Sequence, residues 1–262
     1  MNHITVRSLL VRGMIAGVVA GLLAFGLAYL IGEPHVEDAI ALEGQGHHTH
    51  GAAAATHAHE VEVELVSRPV QSTLGLATAV LVYGVALGGI AAVVFCFALG
   101  RVGRFSPRAT AALVAGAAFV TVSLVPFLKY PANPPAVGDP GTVDQRTILY
   151  VLMIVLSMLL GLGSIWLGRR LAARLGAWDA SLAAGAVFAL TVGAAFVFLP
   201  AVDEVKSDFP ADLLWGFRLS SLAIQALLWT AFGVVFGRLA QRVLNPSPSR
   251  EGVIPPSAAP VG

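Results

Sequence analysis

Charge is scarce in this chain. Only 12% of its 262 residues are Asp, Glu, Lys or Arg, about half the roughly 25% of soluble domains. Apolar residues make up 56% and the mean hydropathy is +0.79. A water-soluble core cannot absorb that much apolar surface, so the composition excludes an ordinary soluble domain. Cysteine is nearly absent. Cys96 stands alone in an apolar run, which rules out an intramolecular disulfide and reads as packing. The formal net charge is +1, so no basic surplus recommends a nucleic-acid partner. Walker, CxxC, GxGxxG and HExxH patterns are missing. The apolar runs hold no histidine, and no Asp or Glu at mid-depth. Membrane proteases and metalloenzymes need Ser/His, paired Asp or His/Glu groups at depth, so the chain does not read as an enzyme. The same lack weighs against a self-contained cation pore.

What is abundant is apolar sequence in long runs. A spanning helix needs about 20 mostly apolar residues. Six stretches qualify, at 9–31, 73–99, 109–128, 148–167, 180–199 and 213–239. The expected fold is therefore an all-α integral membrane bundle of six helices over 1–244. All six stretches are rich in Gly and Ala, which suits close packing in lipid. Arg7, Arg12, Arg101, Arg104, Arg108, Arg169, Arg170, Arg174, Arg238, Arg242 and Arg250 fall on one side, joined by only Asp179 and Glu251. The other side holds the remaining 13 acids against Arg68, Lys129, Arg146 and Lys206. The positive-inside rule puts both termini in the cytoplasm of a bacterial inner membrane and the long loop 32–72 outside. The first apolar run exceeds the 7–15 residues of a signal-peptide core, so it reads as an uncleaved helix. Cleavage after it, with Arg7 and Arg12 as the n-region, is the competing reading and leaves the remaining topology unchanged. The segment 245–262, rich in Pro and Ser, reads as a disordered cytoplasmic tail.

Internal repetition is suggested by Gly100-Arg101, Gly168-Arg169 and Gly237-Arg238, each placed at the end of an inward-running helix. LVAGAAF (113–119) resembles LAAGAVF (182–188), and Pro131 aligns with Pro200 at the same offset. Parallel two-helix repeats are one reading. Chance likeness among Gly/Ala-rich helices is the other.

The loop 32–72 carries His35, His47, His48, His50, His57 and His59 beside seven acids. Neutral imidazole ligates Co, Ni, Cu and Zn, and the pairs His48/His50 and His57/His59 could chelate one ion from an extended chain. Binding weakens as pH falls through the imidazole pKa of roughly 6.5. A solvated polar loop with no ligand is the competing reading, since His-rich tracts are compositional signals. The segment EPHVEDAIALE is expected as a short amphipathic helix on the membrane surface, with Val36, Ala39 and Ile40 toward lipid and Glu37 and Asp38 toward water. Glu33 and His35 at its start could take an ion from the loop, or simply cap the first helix. The second outward loop, PFLKYPANPPAVGDPGTVDQRTILY (126–150), is stiffened by five prolines and carries Lys129, Tyr130, Asn133 and Asp139. The third adds Asp203, Glu204, Asp208 and Asp212. The two read either as an acidic vestibule or as ordinary solvated loops. Inside the sixth span stand Arg218 and Gln225, about two turns apart. Arg218 is placed to snorkel or to pair with Asp208 or Asp212.

Taken together, the segment GEPHVEDAIALE, the His-rich stretch, ELVSRPVQSTLGL and PFLKYPANPPAVGDP resemble the predicted cobalt transporter subunit family CbtA, over about residues 7–243. KYPANPPAVGDP (129–140) is the most distinctive part. The matching positions are Glu33, Pro34, Asp38, Arg68, Gln71, Lys129, Tyr130, Pro131, Asn133, Pro134, Pro135, Gly138 and Asp139. The resemblance implies a cobalt-uptake subunit tied to cobalamin-related metal supply, working with a small single-helix, His-containing partner. No resident cofactor is expected, only transported or loosely held Co2+. Imidazole alone would accept Ni2+, Zn2+ or Cu2+ as well. The alternative from another functional class is a non-transporting membrane sensor or scaffold whose histidine loop reports metal or pH.

Overall fold

The computed structural model describes residues 3–49, 67–135, 137–138, 140–202, 205 and 209–245, with the side chains of 43–49 and 140 left undescribed. Helices α1 (His3–Leu27), α2 (Glu33–Thr49), α3 (Arg68–Val70), α4 (Leu76–Ala98), α5 (Pro107–Ala118), α6 (Val125–Lys129), α7 (Val143–Leu175), α8 (Ala177–Phe198) and α9 (Ala211–Leu244) carry the fold. No strand occurs among the described residues. Six helical stretches are long and apolar enough to cross a membrane: His3–Leu42, Arg68–Ala98, Pro107–Lys129, Val143–Leu175, Ala177–Phe198 and Ala211–Leu244. They correspond one to one with the six expected spans.

Each helix runs past its apolar run, because a helix continues into the interface wherever no breaker stops it. Arg169, Arg170 and Arg174, expected in a connecting loop, ride instead on the last turns of α7. The link to α8 is the single residue Gly176, at φ 81°. That left-handed value favours glycine, which lacks a Cβ to clash. The supposed Gly-Arg helix ends are likewise corrected. Gly100 lies in a turn with φ 73°, but Gly168 and Gly237 are inside α7 and α9. The EPHVEDAIALE segment is not a separate surface helix. It continues α1 through a widened turn, and Ala39 is fully buried.

Three turns are π-helical: Ala28–Gly32, Gln71–Gly75 and Phe119–Leu124. In the first and last, the widened turn runs into a proline. The Glu33 N–H reaches back five residues to the Ala28 carbonyl just before Pro34, and the Val125 N–H to Val120 just before Pro126. Proline has no N–H to give and its ring crowds the carbonyl four residues earlier. A local widening of the helix relieves both problems.

The spans pack in two groups. α1 lies against α4 and α9, and α5 against α9, while α7 and α8 form a hairpin that leans on the π turn and α6. Of the close pairings, α1 with α4 joins the first two spans in sequence, α7 with α8 the fourth and fifth, and α5 with α9 the third and sixth. The first group is knit by backbone contact and aromatics. Gly13 and Gly17 of α1 oppose Gly88 and Gly84 of α4 so closely that a Cβ on any of the four would overlap the facing backbone. Phe95 meets Phe236 edge-on at 5.1 Å between centroids, and Phe236 stacks on Phe232 at 5.2 Å. A second core joins Val125, Tyr130, Leu149, Met153 and Val192. Between these cores, much of the apolar surface stays open, including Phe198 at 88% and Trp178 at 75% exposure. Lipid accounts for that, since the hydrocarbon is as apolar as the side chains.

Candidate functional site

The antiparallel packing gathers Glu33, His35, Asp38, Asp144 and Asp212 at one end of the bundle and the arginine-rich turns at the other. At the acidic end, α2 and the start of α9 enclose a cleft of about 490 Å³ bordered by His35, Asp38, Leu42, Pro210 and Asp212. His35 is held with intent of position. Its Nδ1 lies 2.7 Å from the Ile31 carbonyl oxygen. A carbonyl only accepts, so Nδ1 is the donor in this contact. Carbonyl-oriented imidazoles of this kind are the usual form of a metal-ligating histidine. The ring rests on Gly216 of α9 with Nε2 as its nearest atom: a Cβ there would overlap Nε2 and lie 2.7 Å from Cδ2. Asp38 and Glu37 are exposed, as expected.

Glu33 differs from expectation. Its carboxylate is gripped by Arg68 at 2.6 Å, joining the first two spans at this end of the bundle. Oε2 is the oxygen that makes this contact. Among the described residues no three His, Cys, Asp or Glu side chains converge tightly enough to hold a metal. The cleft thus carries one oriented imidazole and is not a closed coordination sphere.

The proline-rich loop is fastened over the same end. Lys129 donates to the Phe196 carbonyl at 2.8 Å and Tyr130 to the Pro200 carbonyl at 2.9 Å. Burial pushes the Tyr130 hydroxyl above its ordinary pKa, keeping it a donor. Arg218 holds the loop from α9: its Nη2 donates to Asn133 Oδ1 at 2.8 Å and its Nε to the Ala132 carbonyl at 3.3 Å. The guanidinium also lies 5.8 Å from the Trp215 ring centroid. Among the described residues Arg218 forms no ion pair, which corrects its expected pairing with Asp212; Asp208 lies outside those residues.

Halfway along α9, Gln225 sits in a polar patch missed at sequence level. The Trp229 indole N–H donates to Ser123 Oγ at 3.1 Å, and Ser123 Oγ donates to Gln225 Oε1 at 3.3 Å. The Tyr83 side chain of α4 approaches the same Gln225 amide. Ser123 is presented by the π turn, whose Thr121 carbonyl is bonded by Ser157 of α7. Polar groups at this depth must find partners within the protein, and here four spans supply them. Pro126 was the one sequence sign that the third span is irregular here.

Of the remaining candidate residues, His47 and His48 fall in the final turn of α2, helical rather than extended. His50, His57, His59, Asp139, Asp203 and Asp208 lie outside the described residues.

A helical bundle with six spans, a polar cleft at one end and a bonded polar patch within it has the build of a membrane transport protein. Comparison with family models makes the class specific. The model of the probable cobalt transporter subunit, CbtA, matches residues 6–241. The chain belongs to that family. Comparison with curated proteins and with solved structures gives no match.

Proposed function

We propose that this chain is the membrane component that brings divalent cobalt into the cell, its His- and acid-rich arm gathering the ion outside. The observation that carries the reading is the family match over residues 6–241. A family of transporter subunits acts within a complex in a membrane. The finer proposal is a small single-helix, His-containing partner in the inner membrane, with both termini of this chain cytoplasmic.

The route begins at the arm around His47, His48, His50, His57 and His59. It continues to the cleft bordered by His35, Asp38 and Asp212, where the imidazole, turned from its Gly216 bed, and the two carboxylates meet the incoming ion. Asp139, Asp203 and Asp208 belong by sequence to the two loops on that side of the membrane, and such charge raises the local cation concentration. The Tyr83, Ser123 and Gln225 oxygens are the next polar stop toward the arginine-bearing end. No phosphate-binding motif for ATP is present in the sequence. Inward movement of a divalent cation gains about 4.6 kcal/mol per 100 mV, twice the single-charge value, so the membrane potential suffices as a driving force.

The test is cobalt accumulation in cells expressing the intact chain or a variant lacking residues 46–59. The intact chain is expected to raise accumulation at limiting cobalt and the variant to lose most of that gain. Accumulation equal to that of cells without the gene would refute transport. Binding to the purified chain without flux into liposomes would favour the sensor reading.

A further inference from the structure

We infer that the arginine-bearing end of the bundle holds a site for one anionic phospholipid, in a groove between α5 and α9. The groove has a volume of about 530 Å³, within the roughly 300–1,000 Å³ of small-molecule sites. The inference does not depend on what the chain transports.

Charge marks one end of the groove. Arg108 of α5 and Arg238 of α9 border it. They are 130 positions apart in sequence, yet a Cβ on Gly237 would lie 3.4 Å from the Arg108 Cα. The two guanidinium groups therefore start from adjoining backbone. Neither forms an ion pair among the described residues. α5 begins at Pro107, so the positive end of its dipole points to the same place. Two side-by-side cations and a helix start suit a phosphodiester, which accepts from planar guanidinium donors. They repel a divalent cation, which argues against this groove as an exit for the cargo.

The rest of the groove is apolar and has the right depth. From Arg108 it passes Ala112 and Gly116 to Phe119, and from Arg238 it passes Gly233 to Trp229. Eleven residues of helix rise about 16 Å, close to half of a hydrocarbon core roughly 30 Å thick. The groove thus spans a single leaflet, the length over which one acyl chain would lie. Gly116 makes its wall: a Cβ there would meet no atom within 4 Å. Basic pockets between spans on the positive side are where anionic headgroups bind, and the positive-inside rule assigns that side to the cytoplasmic leaflet.

The test uses the full chain purified in detergent and titrated with phosphatidylglycerol or phosphatidylcholine of identical acyl chains, with bound lipid counted by native mass spectrometry. One phosphatidylglycerol is expected to be retained at least tenfold more tightly than phosphatidylcholine. The double variant Arg108→Gln/Arg238→Gln should reduce that preference to below threefold. Gly116→Leu should weaken retention of either lipid with both arginines in place. Arg174→Gln, on α7 away from the groove, should change nothing. Equal retention of the two lipids by the unaltered chain would overturn the inference. So would a preference that survives the double variant, or binding of inorganic phosphate alone at lipid-like affinity. A groove closed by a second copy, seen as a lipid-free dimer, would overturn it as well. Should the double variant fail to fold, Gly116→Leu decides alone, since unchanged lipid retention in that variant is incompatible with the site.

Discussion

Replacing Gly84 by alanine tests the packing on which the bundle depends. Gly84 faces α1, and a Cβ there would stand 2.7 Å from the Gly17 carbonyl oxygen and 3.3 Å from the Gly21 Cα. Both are backbone atoms and cannot turn aside. Moving the oxygen contact out to 3.4 Å separates α1 from α4 by about 0.7 Å, and a gap of roughly 0.5–1 Å forfeits a quarter to a half of each dispersion well along the seam. Overpacking of this kind costs about 1–3 kcal/mol. The helix-propensity gain from Gly to Ala, roughly 0.5–1 kcal/mol in water, offsets part of it, and less in a bilayer, where the separated spans are already helical. The expected net loss is about 1–2 kcal/mol, a factor of roughly 5–30 in the folding equilibrium. Gly26→Ala is the matched control in α1, because a Cβ there meets nothing within 4 Å. The assay is SDS-driven unfolding of each variant in bicelles. If Gly84→Ala unfolds at the same SDS fraction as Gly26→Ala, the close crossing of α1 and α4 is wrong.

The remaining predictions concern the vestibule, the loop and the polar patch. His35→Gln should raise the half-saturating cobalt concentration for uptake about tenfold with little change in maximal rate, and Gly216→Ala should reproduce this by displacing the ring, which measured saturation curves will decide. Gln225→Leu removes the acceptor for Ser123 and should cost less than about 2 kcal/mol, since membrane hydrogen bonds average about 0.6 and reach about 1.7 kcal/mol, yet lower cobalt flux at least tenfold; unchanged flux removes Gln225 from the route. Arg218→Lys cannot reach both Asn133 and the Ala132 carbonyl with one planar fork, so hydrogen exchange of the proline-rich loop should quicken by about tenfold or more. Tyr130 is held neutral by burial, with a folded pKa above its unfolded value of 10.0. Its contribution is therefore intact below pH 10 and is lost as pH rises beyond that value, so Tyr130→Phe should flatten the alkaline fall in thermal stability.

Six spans and the gathering of arginine at one end were legible because both follow from single-residue properties summed over about 20 positions. Helix ends were not, since Arg169, Arg170 and Arg174 are good helix formers and the chain has no stop until Gly176. The four-residue spacing of Gly13, Gly17 and Gly21 stands in the sequence, but its partner Gly84–Gly88 is found only when the two helices are laid together. Arg218 shows the limit of charge pairing as a guide. Nearby carboxylates were the natural expectation, yet the amide of Asn133, 85 positions away, takes the guanidinium. His35 could be named from its place at the mouth of the first helix. Its Nδ1 contact with the Ile31 carbonyl is local, four residues back along the same helical stretch, whereas its bed on Gly216 depends on tertiary packing. The patch of Tyr83, Ser123, Gln225 and Trp229 escaped notice because each polar residue alone is ordinary in a span, and only their convergence distinguishes them.

The most direct measurement of the central claim is radioactive cobalt flux into proteoliposomes holding the purified chain with its membrane partner, under an imposed inside-negative potential. Cobalt entry should grow with the potential, fall sharply on deletion of residues 46–59 and fall again with His35→Gln. Entry that matches protein-free liposomes at every potential, from a chain that still binds cobalt, would contradict that claim.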